Sequence, residues 1–144
     1  MLFMNLRAYG QDFSVDEFLA EHRLAVSSIW RKGDDRRSGR KHEDSGFDIG
    51  FPDAASWVVG HPVIRAFLDS NAAPLEKLRL LGVCVDLDIG VTVGEGRSFA
   101  PTLEFPQGFL TLLVTLGVNL NVAAYPTSDE VQEGCPVLCP SVRG

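Results

Sequence analysis

The stretch Val83-Cys84-Val85-Asp86-Leu87-Asp88-Ile89-Gly90-Val91-Thr92-Val93 decides the fold of this 144-residue chain. Every second residue in it is Val, Leu or Ile, and the residues between are Cys, Asp, Gly or Thr. A period of two predicts a β-strand with one face in the core and the other in water, as in antiparallel sheets. A strand covered by helices on both faces would be apolar throughout. We therefore expect a sheet with helices packed on one face.

The remaining strands are predicted on either side of this one. Alternation also marks residues 2–9 and 118–124. Shorter strands are predicted over about 26–32, from Gly46 onward and over 99–105, with Pro101 limiting the last to a sheet edge. A turn at Gly94-Glu95-Gly96 would join the central strand to this edge strand.

Helices are predicted between the strands. Ser14 and Glu17 form a capping-box pattern at the start of a helix over about 14–23. Gly60 and Pro62 should interrupt any helix there, so a second helix is expected to begin at Pro62. A third begins at Pro74, with Leu75, Leu78 and Leu81 inward, and a fourth covers 109–116 and ends at Gly117.

These elements predict an α+β fold of order β-α-β-β-α(α)-β-β-α-β. We expect a single domain over residues 1–125, built on a largely antiparallel sheet of about five to six strands with helices on one face. Residues 126–144 are predicted to form a C-terminal tail.

Composition narrows the class of protein. The chain has 45% hydrophobic and 22% charged residues, which is typical of one globular domain. Its net charge of −6 argues against binding to nucleic acid or to an anionic membrane surface, and it lacks an apolar run of about 18 residues that could span a bilayer. Three cysteines, an odd number, favour reduced thiols and a cytoplasmic location.

The motif Trp30-Arg31-Lys32-Gly33-Asp34, followed by a polar loop and Gly46-Phe47-Asp48-Ile49, resembles a family of small bacterial proteins classed only as a domain of unknown function. The closing pattern from 103 to 122 is also similar, so the resemblance covers about residues 1–125. It implies a compact α+β fold and no established chemistry or catalytic residue. Some small bacterial proteins of this kind look like immunity partners, which bind and block a toxin.

The loop over 31–42 carries the most unusual charge. It holds six of the 13 basic residues against two aspartates, a local charge of +4, so the rest of the chain carries −10. It is either a solvated loop or a docking surface for an acidic protein, a carboxylate or a phosphate. Trp30 at its base is either a core anchor, like Trp57, or part of the binding patch. The predicted partner-binding residues are Trp30, Arg31, Lys32, Arg36, Arg37, Arg40 and Lys41.

Asp86 and Asp88 carry the main alternative. They share the polar face of one strand, where two carboxylates could bind a divalent cation or divide acid and base roles, with Glu104 as a third candidate. A solvated strand face is the plainer interpretation, because neither aspartate has a histidine at ligand spacing. We predict no metal site and no cofactor.

Catalytic patterns receive little support elsewhere. Cys135 and Cys139 are spaced C-x3-C, whereas redox and zinc motifs usually need C-x2-C. The three histidines are scattered and form no nucleophile–base pattern. We expect a non-enzymatic protein that binds another protein, an acidic surface or a toxin, as an immunity-type inhibitor would. The alternatives are a small-molecule or metal-dependent enzyme using Asp86 and Asp88, and a structural homodimer joined at the Pro101 sheet edge.

Overall fold

A computed structural model of the chain describes residues 1–94 and 101–126. Within them the elements follow the order β-α-β-β-α-α-β-α-β. The strands are β1 (Leu2–Gly10), β2 (Ser28–Trp30), β3 (Ser45–Gly50), β4 (Cys84–Val93) and β5 (Val118–Pro126); the helices are α1 (Val15–Glu21), α2 (Trp57–Ser70), α3 (Ala72–Leu80) and α4 (Gln107–Leu116). The predicted α+β class is confirmed.

The strands form one five-stranded sheet of order β2-β3-β1-β4-β5. The pairs β2·β3, β3·β1 and β1·β4 are antiparallel, as predicted, whereas β4 and β5 are parallel. A parallel pair needs a crossover connection, and α4 lies in the segment that supplies it.

The predicted edge strand over 99–105 is wrong for its described part, since residues 101–105 form no strand. Pro101 has no amide hydrogen to give to a ladder, and the Phe105 ring packs 5.2 Å from Trp57 in the helix layer. The segment therefore leads into α4, and the sheet edges of the described residues are β2 and β5. Residues 95–100 and 127–144, with Glu95, Gly96, Cys135 and Cys139, lie outside the described part.

The two faces of the sheet follow the period of two. In the central rows, Leu6 is in register with Ile49 and Leu87, and all three are buried under the helices. One residue along, Arg7 is in register with Asp48 and Asp86 on the opposite face. We call this second surface the open face; it carries Phe3, Asn5, Arg7, Tyr9, Trp30, Asp48, Asp86, Asp88, Asn119, Asn121 and Tyr125. No helix of the described residues packs on it.

Helix α2 begins five residues before the predicted start at Pro62. Tertiary packing explains the difference. Trp57 is buried and its indole donates to the carbonyl of Glu104 at 2.6 Å. A side chain on Gly60 would come within 2.9 Å of the sulfur of Met4, so glycine lets the helix lie close to β1. Pro62 is near enough to the helix start to remove only the bond to the carbonyl of Val58, which is exposed to water.

The other helices agree with the prediction except in detail. Ser14 occupies the N-cap position of α1, but its side chain makes no capping hydrogen bond, so the predicted capping box is wrong. In α3, Leu75 and Leu78 are buried, whereas Leu81 is half exposed. Gly117 ends α4 with a φ of +70°, the left-handed conformation that favours glycine at this position.

Candidate functional site

The basic loop is folded as a hairpin, and we call residues 31–42 the basic hairpin. The amide of Arg36 donates to the carbonyl of Arg40 at 2.7 Å, and the amide of His42 donates to the backbone carbonyl of Asp34 at 2.8 Å. The amide of Gly33 in turn donates to the carbonyl of His42 at 2.9 Å. Its backbone is therefore paired along most of its length, which restricts the directions in which the side chains project.

Trp30 ties the base of the hairpin to the sheet. Its indole nitrogen donates to Asp44 at 2.8 Å, and its ring stacks on His42 with centroids 5.8 Å apart. The ring lies against Gly46, where a Cβ would come within 2.5 Å of it and would also strike the carbonyl of Ala8. The guanidinium of Arg7 lies 5.9 Å from the ring centroid. Trp30 is thus half-buried as an anchor, and it joins the hairpin to the open face.

The rest of the Trp-x-Lys-Gly-Asp motif also supports the backbone. The amide of Arg31 donates to the Asp34 carboxylate at 3.0 Å, and the amide of Lys32 donates to the Ser45 hydroxyl at 2.9 Å. Gly33 has a φ of +91°, which other residues rarely adopt. Each motif position except the Lys32 side chain therefore has a structural role.

The six cations of the basic hairpin fall into two groups. Arg31 makes two hydrogen bonds of 2.7 Å to Asp16 on α1. That bidentate contact lowers the pKa of Asp16 and raises the pKa of Arg31. Lys41 pairs with Asp35 at 2.7 Å. The other four have no carboxylate partner among the described residues, and all but the half-buried Arg36 are exposed: Lys32, Arg36, Arg37 and Arg40.

On the open face, Asp48 is the centre of a polar network. It accepts hydrogen bonds from Asn5 at 3.1 Å, Arg7 at 3.0 Å and Ser28 at 3.1 Å. Burial disfavours the charge of Arg7, but the hydrogen bond and charge of Asp48, with Asp88 and Asp86 nearby, outweigh it and raise the pKa of Arg7. This network joins β1, β2 and β3 through side chains as well as through backbone.

Asp86 and Asp88 share the open face, as their spacing predicts. Asp86 is buried and accepts from the hydroxyl of Tyr9 at 3.0 Å and from Asn119 at 2.9 Å. Asp88 is half-buried and accepts from Asn121 at 2.9 Å. Glu104 is not with them: its carbonyl accepts from Trp57 in the helix layer, on the other side of the sheet. Within residues 1–94 and 101–126, no three His, Cys, Asp or Glu side chains come together as a metal-ligand set.

Sequence reasoning missed the other polar residues that share the open face with these aspartates, above all Arg7, Asp48 and Asn121. A signal was present, because Asn5, Arg7 and Tyr9 alternate with buried Leu6 and Ala8 just as Asp86 and Asp88 alternate with their apolar neighbours. What periodicity does not provide is the register that sets Arg7 between Asp48 and Asp86.

Comparison with known proteins finds no family model, curated protein or solved structure that matches this chain. The described residues also contain no helix with both the length and the hydropathy to cross a bilayer.

Proposed function

We propose that this chain is a non-enzymatic, cytoplasmic protein-binding module that docks an acidic partner surface through the basic hairpin. The observation that carries the proposal is the contrast between the hairpin's backbone and its charges. The backbone is fixed by Trp30, Asp34 and Ser45. Four of its cations have no carboxylate partner in the described part of the chain.

Preorganisation is the physical reason that this arrangement favours binding. Docking on a hairpin whose backbone is already fixed costs less conformational entropy than docking on a loop that must first become ordered. Charges at the rim of an interface mainly speed encounter and select partners of opposite charge. Because Arg31 and Lys41 already have carboxylate partners, the binding role falls to Lys32, Arg36, Arg37 and Arg40.

The narrower proposal is an immunity-type inhibitor whose partner is a toxin. It rests on the resemblance of the Trp30–Asp34 motif to a bacterial family with immunity-like members. The cytoplasmic location rests on the odd number of cysteines, and the exposed free thiol of Cys84 fits a reducing compartment.

A capture experiment with matched charge reversals tests the binding role. The full chain is immobilised, exposed to lysate of the native host at low and moderate salt, and compared with Arg37→Glu/Arg40→Glu. The control is Arg23→Glu/Lys77→Glu. Arg23 follows α1 and Lys77 lies on α3; both are exposed and also lack a carboxylate partner among the described residues.

We expect the wild type and the control to retain the same protein and the hairpin variant to lose it. With that protein purified, the dissociation constant should rise about tenfold or more in the hairpin variant. If the partner is a toxin, the hairpin variant should also fail to protect cells at an unchanged melting temperature. Equal capture by both variants, or an empty wild-type lane at low salt, would refute the proposal.

A further inference from the structure

A groove of about 960 Å³ crosses the open face at the end remote from the basic hairpin. The residues that line it include Phe3, Gly50, Asp88, Gly90 and Tyr125. The volume lies at the upper end of the range found for small-molecule sites. Neither the basic hairpin nor its proposed partner uses these residues.

Aromatic side chains line one part of the groove, around Gly90 on β4. A Cβ on Gly90 would come within 2.9 Å of the Tyr125 ring and 3.7 Å of the Phe3 ring. Only glycine leaves room for the Tyr125 ring at this position, and the rings of Tyr125 and Phe3 together form an apolar part of the groove lining. Phe3 is 43% exposed, which is unusual for a phenylalanine on a sheet and leaves its ring accessible.

The charge in and beside the groove is negative. Asp48, Asp86 and Asp88 surround a single guanidinium, that of Arg7, so these four groups sum to −2. Asp53 at the rim of the groove adds a further negative charge. Arg7 is already paired with Asp48 at 3.0 Å, which reduces its value as an anion site.

Asp88 is the acceptor best placed for a ligand. Asn121 donates to one of its carboxylate oxygens, and the other accepts no hydrogen bond from the described residues. Carboxylates bind guanidinium and ammonium groups through short, charge-assisted hydrogen bonds. Aromatic faces attract the same cations.

From this charge complementarity we infer that the groove binds a small molecule that carries a guanidinium or primary ammonium group on a short apolar chain. The cation lies against Asp88, and the apolar chain lies along the groove against the rings of Phe3 and Tyr125. The site is distinct from the basic hairpin and has the opposite charge preference.

The test uses n-butylguanidinium as the probe and its neutral isostere N-butylurea as the control ligand. Each is titrated into the ¹⁵N-labelled full chain while the amide signals of Gly50 and Gly90 and the side-chain amide of Asn121 are followed. We expect saturable shifts of these signals with butylguanidinium and none with butylurea. Equal shifts with the two compounds, or shifts spread over all surface carboxylates, would overturn the inference.

Two variants of equal charge change localise the site. Asp88→Asn keeps an oxygen for Asn121 but removes the charge, and should weaken butylguanidinium binding about fivefold or more. Asp69→Asn removes an exposed carboxylate on α2 and should leave binding unchanged. Unaltered affinity in Asp88→Asn, with its melting temperature preserved, would contradict the assignment.

The same titration separates a small ligand from an arginine side chain of a protein. An acetylated, amidated tripeptide with a central arginine is the second probe. Tighter binding of the tripeptide by about tenfold would overturn the small-molecule assignment in favour of a polypeptide. Arg37→Glu/Arg40→Glu should bind butylguanidinium normally, so failure of the hairpin proposal and failure of this one are distinguishable.

Discussion

At the scale of single residues, His61 on α2 lies in an environment that disfavours a positive charge. Its ring centroid lies 5.1 Å from Trp57 and 4.8 Å from Phe109, and its Nε2 is buried without a hydrogen-bond partner in the described part of the chain. Burial, and then the nearby charge of Arg65, lower the pKa of His61 in the folded protein.

This environment predicts a loss of stability in mild acid. An unfolded histidine has a pKa of about 6.5. On acidification, the unfolded chain therefore takes up a proton before the folded protein does, and the free energy of unfolding falls as the pH drops through 6.5 towards the lower folded pKa. Denaturant unfolding of wild type and His61→Gln at several pH values checks this. In the variant, the free energy of unfolding should fall less steeply as the pH drops below 6.5. An equal dependence on pH in both proteins would contradict the assignment.

At the scale of elements, the hydrogen bond between Trp30 and Asp44 is one of the contacts that hold the base of the basic hairpin. Asp44 accepts from the Trp30 indole, and a hydrogen bond to a charged group is worth about 1.5–3 kcal/mol. We expect Asp44→Ala to reduce the free energy of unfolding by about 1–2 kcal/mol. It should also speed hydrogen exchange at the paired amides of Gly33, Arg36 and His42.

The neighbouring substitution Glu43→Ala is the control. Glu43 is exposed and makes no hydrogen bond or ion pair that ties it to the hairpin in the described residues. This substitution should change the free energy of unfolding by less than about 0.5 kcal/mol and should leave the hydrogen-exchange rates unchanged. If Asp44→Ala behaved in the same way, the hairpin would be held by its backbone pairs and by the contacts of Asp34 and Ser45, without help from Asp44.

The elements that sequence predicts best are those whose periodicity is long. β1, β4, β5 and α4 have nearly their predicted bounds, because each alternates or repeats over seven or more residues. β2 is only three residues long, since just Ser28, Ile29 and Trp30 find partners on β3. The start of α2 could not be predicted locally, because it depends on Met4 and on the carbonyl of Glu104, both distant in sequence.

The candidate site shows the same division between local and distant information. The concentration of cations over 31–42 is visible in the sequence. Which cations are neutralised is not, because Asp16 reaches Arg31 only through the packing of α1 beside the sheet. The groove is likewise hidden, since it requires Phe3, Gly90 and Tyr125 from three strands to come together, with Phe3 in register with Gly90 and Tyr125 diagonal to it.

At the scale of the whole molecule, the sheet is stabilised differently on its two faces. Helices cover one face with an apolar core, in which each fully buried Leu, Ile or Val contributes about 1.5–3 kcal/mol. On the open face the strands are joined by polar contacts, and Arg7 is the one cation in its central row. Removing Arg7 would leave the negative charges of Asp48, Asp86 and Asp88 without the cation that offsets them.

A double-mutant cycle measures how far this arrangement stabilises the whole fold. We expect Arg7→Met to lower the free energy of unfolding by about 2–4 kcal/mol, because the side chains of Arg7 and Asp48 are only 30% and 19% exposed. In the double variant with Asp48→Asn part of that loss should be recovered, giving a coupling energy of about 1 kcal/mol or more.

The Arg65–Asp69 pair on α2 is the matched control, since it joins the same residue types at 3.2 Å but lies on the surface. Its cycle, Arg65→Met with Asp69→Asn, should give a coupling of only about 0.3–0.5 kcal/mol. Urea unfolding of all six variants and the wild type provides both values. A coupling at Arg7 no larger than that at Arg65 would mean that the backbone ladder and the helix-covered core hold the sheet together without help from the open face.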